Sequence, residues 1–262
     1  ATVQDALAEA TSGDTIALQP GNRPYAESPT LAGQISVIGN DSAYRANGNN
    51  AAFLPTLSHE TGAAAIAVSA GSSVLLRNVA VRHMVDGPAV DPDGAGVRIE
   101  NIHVNPGQTF RVGRGVRIAN ATGPVISDSR VNAVIGYGIL LSNVSSGLVS
   151  RVQVTGVDSV PGANGEGIRV LGGFGNAIEL SAVRSTIGPR ILLDSTSGAR
   201  VSADTLAGRH RLLRIRTATG ATVITNNVFS LNQQSTDPPS GGSAMDGRAA
   251  LEILESAGVT VS

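Results

Sequence analysis

Leu76-Arg77-Asn78-Val79-Ala80-Val81 and Ile99-Glu100-Asn101-Ile102-His103-Val104 decide the fold. Each segment has aliphatic residues five positions apart, and the second begins 23 residues after the first. The pattern recurs at Ile126 to Val131, Val149 to Val154, Leu180 to Ser185, Val201 to Leu206 and Ile224 to Phe229, with starts separated by 23, 27, 23, 31, 21 and 23 residues. About ten residues before each start lies a shorter apolar segment: Ile66-Ala67-Val68, Ala89-Val90-Asp91, Val116-Arg117-Ile118, Ile139-Leu140-Leu141, Ile168-Arg169-Val170, Ile191-Leu192-Leu193, Leu213-Arg214-Ile215 and Leu251-Glu252-Ile253. Alternation of apolar and polar residues marks strands with one buried face. Gly-, Ser- and Asn-rich turns such as Asn120-Ala121-Thr122-Gly123 separate them. Two short strands per repeat without helical periodicity describe one coil of a β-solenoid, whose buried face is completed by its neighbours. The Leu-x-x-Leu-x-Leu pattern of leucine-rich repeats is missing.

Composition agrees. The 262 residues hold only seven aromatics, no Trp and no Cys. A narrow interior filled by stacked Val, Ile, Leu and Ala needs few rings. All 19 basic residues are Arg, against 20 acids, a formal charge of −1 that gives no basic field for nucleic acid. No run approaches the roughly 18 apolar residues of a membrane span. Without cysteine there is no thiol nucleophile or Cys-ligated zinc.

Val3, Ala6, Leu7 and Ala10 share one face of a short helix, placed within residues 1–12, that caps the first coil. Coils fill 13–229, a long loop 230–249, and a last partial coil 250–262, all in one domain. That final coil reads as cut short, as in a piece of a larger protein.

Val3 to Ala10, then Gly13-Asp14-Thr15-Ile16-Ala17-Leu18, Pro20-Gly21, Tyr25, Ile35-Ser36-Val37-Ile38-Gly39 and the later Ile224-Thr225-Asn226-Asn227 resemble the pectate-lyase-like right-handed parallel β-helix proteins. The resemblance implies an all-β right-handed parallel β-helix of about nine to ten coils with a short N-terminal capping helix. It implies little about activity, because that superfamily includes lyases, hydrolases, epimerases, adhesins and inert stalks. Its lyases often use Arg or Lys as base with a calcium-binding cluster of acids. Here lysine is absent, and the only close acids are Asp86, Asp91 and Asp93. The Asn-Thr-Asp, Asp-Asp and Gly-His-Gly motifs of polygalacturonases are missing, and Asp91-Pro92-Asp93-Gly94 only begins like the Asp-Pro-His-Glu of alginate epimerases.

Columns of equivalent residues separate structural from functional candidates. Arg77, Glu100, Ser127, Ser150, Ser181, Ser202 and Thr225 face outward and read as a solvated stripe. Asp93, Asn120, Asn143, Ser195 and Thr217, interrupted by Gly172, read as turn residues bonding to backbone rather than as catalytic or glycosylated positions. Asp91 stands where the other short strands carry an aliphatic residue. Either Pro88 and Pro92 shift the register so that Val90 turns inward, or Asp91 is a buried acid paired with Arg82, His83 or a metal. Asp86 and Asp91 are the candidate metal ligands, with calcium the ion if the chain is a lyase.

The loops that lead into the short strands carry Arg82, His83 and Asp86, then Arg111 and Arg114, Tyr137, Asp158 and Glu166, Arg190, and Arg209, His210 and Arg211. The long loops 105–115 and 155–167 flank the short turn at Tyr137, which predicts an axial groove. Arginine forks suit carboxylated or sulfated sugars. The catalytic candidates are Tyr137 with Arg111 or Arg114; the binding candidates are Arg82, His83, Asp86, Asp158, Glu166 and Arg190. The favoured expectation is a non-catalytic module of a bacterial surface, periplasm or secretome that binds an acidic polysaccharide or another protein subunit. A lyase or hydrolase acting on an acidic glycan is the alternative.

Overall fold

The computed structural model describes residues 2–21, 23–60, 62–94, 96–108, 111–159, 165–208, 211–231 and 250–262. Helix α1, Val3–Glu9, opens the chain with a reciprocal capping box: Asp5 N–H donates to Thr2 Oγ1, and Thr2 N–H to the Asp5 carboxylate, both at 2.9 Å. Glu27 accepts from the backbone N–H groups of Val3 and Gln4, so the helix start is satisfied twice. Val3 is buried against the first coils, as a cap requires.

Behind α1 the chain winds into a parallel β-helix. One side is a nine-stranded parallel sheet formed by Thr30–Leu31, Ile66–Val68, Pro88–Pro92, Arg114–Ala119, Tyr137–Ser142, Glu166–Leu171, Ile191–Asp194, Leu213–Arg216 and Leu251–Leu254, stacked in chain order. A 16-stranded sheet wraps the remaining sides. The repeated hexads are its corners. In each, one residue with positive φ turns the chain between two strands: Asn78 (58°), Asn101 (51°), Asp128 (54°), Arg151 (53°), Leu180 (53°), Ala203 (57°) and Asn226 (55°). Asn and Asp take this conformation at little cost, whereas Arg, Leu and Ala do so only because the coils above and below fix the bend.

The register corrects one repeat. Leu76, Ile99, Ile126, Val149, Ile178, Val201 and Ile224 pair in sequence across neighbouring coils and are all almost fully buried. The fifth repeat therefore starts at Ile178, two residues before Leu180. Leu180 is instead the bend residue and stands 56% exposed. Glu179, not Ser181, joins the outward stripe, while Ser181 is buried with its hydroxyl donating to the Glu179 carbonyl.

The turn column is as the sequence reads at Asn120, Asn143, Ser195 and Thr217, which all have positive φ, with Gly172 in the same conformation between them. At its head the register shift puts Gly94 (65°), not Asp93, in that place, and Asp93 bridges to Ala119 instead. Asn120 Nδ2 donates to Asp93 (2.7 Å) and Asn143 Nδ2 to Asn120 (3.3 Å), a side-chain ladder down the stack.

An element absent from the repeat pattern is the insertion that carries α2, Ser42–Ala46, and a 3-10 turn, Ala51–Phe53. Tyr44 and Leu54 bury it against Ala80 on the outer side of the large sheet. No helix among the described residues is long and apolar enough to cross a membrane. Of the loop expected over 230–249, the first two residues belong to the strand Val228–Leu231, and 232–249 lie outside the described residues.

Candidate functional site

Two outer faces of the coil carry clustered polar side chains. The first belongs to the nine-stranded sheet. Its register places Asp91, Arg117, Leu140, Arg169, Leu192, Arg214 and Glu252 in one outward column. Val90 is fully buried and pairs with Ile66 and Val116, so the register shift is what the chain adopts. Asp91 is thereby half-buried on the outer face, 3.4 Å from Arg117. Burial raises its pKa, Arg117 opposes the rise and Asp93 adds to it. Its partner is neither Arg82 nor His83.

Charges alternate along this face. Arg114 pairs with Asp86 (3.3 Å), and Arg117 also reaches Asp93 (3.6 Å). Arg169 lies between Glu166 (3.7 Å) and Asp194 (4.0 Å), and Asp194 accepts two bonds from Arg216. Hydrogen bonding from Arg216 holds the Asp194 carboxyl below its usual range. Arg211 and Arg214 share Glu252, each at 3.1 Å. Every arginine of this face among the described residues meets a carboxylate.

Tyr137 pairs in register with Glu166, and both are buried. Burial raises the Tyr137 pKa, while nearby Arg114, hydrogen-bonded to the phenol, pulls the other way. The structure thus brings together Tyr137, Arg114, Asp86, Asp91 and Glu166 from the sequence candidates. Arg111 and Asp158 meet each other at 2.8 Å and tie the two long loops across the intervening short turn. The expected walls are therefore bridged above their floor.

Four binding candidates need correction, the first being Glu166, which is fully buried beneath the face. His83 is fully buried, its Nδ1 3.0 Å from Nδ1 of equally buried His59, and burial first, then His59, lowers its pKa to about 4. A Cβ on Gly113 would stand 2.3 Å from the His83 ring, so the loop lies directly over it. Arg190 is also buried, donating to the carbonyls of Ala207 (3.0 Å) and Gly188 (3.1 Å), with desolvation lowering its pKa to about 10. Arg82 is exposed but lies on the large sheet beside Gln108, whose amide, turned so that its oxygen faces the guanidinium, accepts from Arg82 Nε at 2.6 Å. Arg209 and His210 lie outside the described residues. Asp86 and Asp91 each answer an arginine, and among the described residues no three acids or histidines converge to hold a metal ion. The donor set does not fit calcium.

The second face was not singled out by the sequence. A cleft of about 440 Å³ opens on the outer side of the large sheet. Asn49 to Ala52 of the insertion form one wall and Pro106 with Gly107 the other; His103, Arg130, Asn132, Gln153 and Thr155 form the floor. Arg130 pairs in register with His103 and Gln153, and Asn132 with Thr155, so the floor spans three coils. Asn105 pins the second wall: buried, it accepts from His83 N–H (2.8 Å) and donates to Val112 and Ala133 carbonyls (3.0 Å each). His103 lies edge-on to Tyr44, and its Nε2 donates to Asn101 Oδ1 at 3.0 Å. Burial, then Arg130, lowers its pKa to about 4, so it is neutral at pH 7.

Residues 33–183 match the family described as right handed beta helix region. The chain belongs to that family. Among solved right-handed β-helices, it is similar to the periplasmic alginate epimerase AlgG, at 11% identity and a TM-score of 0.44, covering 100% of this chain and 80% of that one. It is also similar to the AlgE6 A-module, a mannuronan C-5 epimerase of Azotobacter vinelandii (14%, TM-score 0.46, 86% and 70%). A third likeness is to tailspike protein 3 of bacteriophage CBA120 (9%, TM-score 0.31, 98% and 53%). No curated protein matches the chain.

Proposed function

We propose that this β-helix is a rigid module, secreted, periplasmic or displayed on a bacterial surface, that binds an acidic polysaccharide along its nine-stranded face without cleaving it. The observation that supports this reading is the succession of ion pairs along the face, Asp91 with Arg117, Arg169 with Asp194 and Arg214 with Glu252, spaced by Leu140 and Leu192. Guanidinium forks and carboxylates both bond sugar hydroxyls, and arginine also meets a sugar carboxylate bidentately. Because each side chain is already held by a neighbour, little rotamer freedom is lost on binding. The strands beneath are fixed by parallel pairing on both sides, which keeps the row straight over several sugar units.

A lyase reading is favoured by one contact, that of Tyr137 with Arg114. A general base works best with a pKa near the operating pH, and burial moves the Tyr137 phenol further above it despite the pull of Arg114. The test is retention on immobilised alginate, pectate, chondroitin and heparan, with ultraviolet detection of unsaturated product in the same samples. Retention that weakens in Arg117→Ala and Arg169→Ala, with no product formed, is the expected result. Product from any one polymer overturns the non-catalytic reading, and unchanged retention in both variants overturns the binding face.

A further inference from the structure

The cleft over the large sheet stands apart from the paired face and from the loops around Tyr137. Its floor carries one cation, Arg130, which is exposed and makes no ion pair among the described residues. Most of its counterparts are neutralised: Arg151 by Asp128 and Arg200 by Glu179 on the adjacent strip of the same sheet, and all arginines of the nine-stranded face. An arginine left unanswered beside a concave surface has its five donors available. Around it the polar groups are uncharged: Gln153, Thr155, Asn132, Asn49 and Asn50. Asn132 is immobilised, donating to the Gln108 carbonyl (3.3 Å) and accepting from Thr155 Oγ1 (2.9 Å). The walls add small apolar surface from Ala51, Ala52 and Pro106. The volume falls in the range of small-ligand sites, roughly 300–1,000 Å³.

We propose that this cleft binds a small carboxylated sugar, its carboxylate on the Arg130 guanidinium, its hydroxyls on the amide and hydroxyl groups of the floor, and its C–H face against Ala52 and Pro106. A single guanidinium fork matches one planar, singly charged carboxylate. Uncharged amides and hydroxyls match ring hydroxyls, and the apolar wall matches the ring itself. His103 supplies no competing charge, because its imidazole is buried and committed to Asn101. The site forms only where the insertion at 42–53 folds back over the coil.

The probe is sodium glucuronate titrated into the full chain at low ionic strength, followed by calorimetry and by NMR. Saturable one-site binding is expected, weakened at least about tenfold in Arg130→Gln and in Ala52→Trp, which fills the cleft. Arg23→Gln, an exposed arginine elsewhere, binds like the parent chain, and uncharged methyl glucoside binds at least about tenfold more weakly. Circular dichroism confirms that each variant is folded. Equal affinity in Arg130→Gln overturns the proposal, as does equal affinity for methyl glucoside. Inorganic phosphate displacing glucuronate at matched concentration also overturns it, because the cleft would then select an oxyanion and not a sugar.

Discussion

The nine-stranded face and the strip of large sheet across the corner obey the same register and carry opposite electrostatics. On the first, Arg117, Arg169, Arg214 and Arg216 each find an acid on their own or a neighbouring coil. On the second, Arg130 and Arg184 stand outside with no carboxylate among the described residues. Beneath the corner of that strip, buried Asp204 accepts from Ser181 N–H (2.7 Å) with one oxygen and has no partner for the other. Stacked coils put side chains about 4.8 Å apart, so an acid one coil away neutralises a base almost automatically. Where the acid is missing, a charge is held by the backbone register in a place its electrostatics alone would not choose. Paired charges make a stiff surface that meets a polymer with its geometry already set; an unpaired one can take up a ligand's charge outside or a proton inside.

The largest expected effect breaks the paired side. Asp194→Ala leaves Arg169 and Arg216 without their shared, nearly buried acid and should cost about 3 kcal/mol in chemical denaturation at pH 7. Since the folded state lowers the Asp194 pKa, its stabilisation is complete above the unfolded carboxylate value and fades as pH falls through the folded one. The variant should therefore lose less relative stability in acid.

Asp204 has the opposite sign. Burial raises its pKa to about 7, so the folded state holds a proton that the unfolded chain releases near pH 4. Its contribution is intact below about pH 4 and is lost as pH rises through about 7. Asn227, one coil further on, shows what the position prefers: its Nδ2 donates to the Val201 carbonyl at 3.0 Å. Asp204→Asn should stabilise the fold by about 2 kcal/mol at pH 8 and by almost nothing at pH 4, measured by denaturation at both. A pH-independent difference would mean that Asp204 is not the titrating group.

The smallest effect sharpens the contrast. Arg130→Gln removes a charge that nothing in the described structure answers, and thermal melting should shift by less than about 0.5 kcal/mol equivalent. A loss as large as that of Asp194→Ala would place Arg130 among the structural arginines and erase the difference between the faces.

The coil is legible in the sequence because every stacked coil must fill the same interior. Leu76, Ile99, Ile126 and Val149 repeat for that reason, and so do the turn asparagines. Leu180 disguises the repeat, because it is an exposed aliphatic residue at a corner whose conformation Asn usually serves. Asn78, Asn101 and Asn226 mark that corner and could have fixed the count from either side. Tyr137 and Arg114 lie on successive coils, so the sequence already places them together; that Asp86 answers Arg114 shows only in the structure. His83 and Arg190 were not recognised as buried, since the loops that cover them follow no period. The cleft at Arg130 escaped because its wall comes from residues 49–52, about 80 positions earlier in an insertion outside the repeat.

The sequence by itself determined the coil, its pitch in residues, its aliphatic filling and the place of its turns. Periodic burial writes a periodic pattern, and one chain contains enough periods to read it. Only the tertiary structure decided which arginines are answered, which histidines lie inside and where a pocket opens. Those outcomes depend on loops and insertions of unequal length folding back onto coils whose own pattern does not change beneath them.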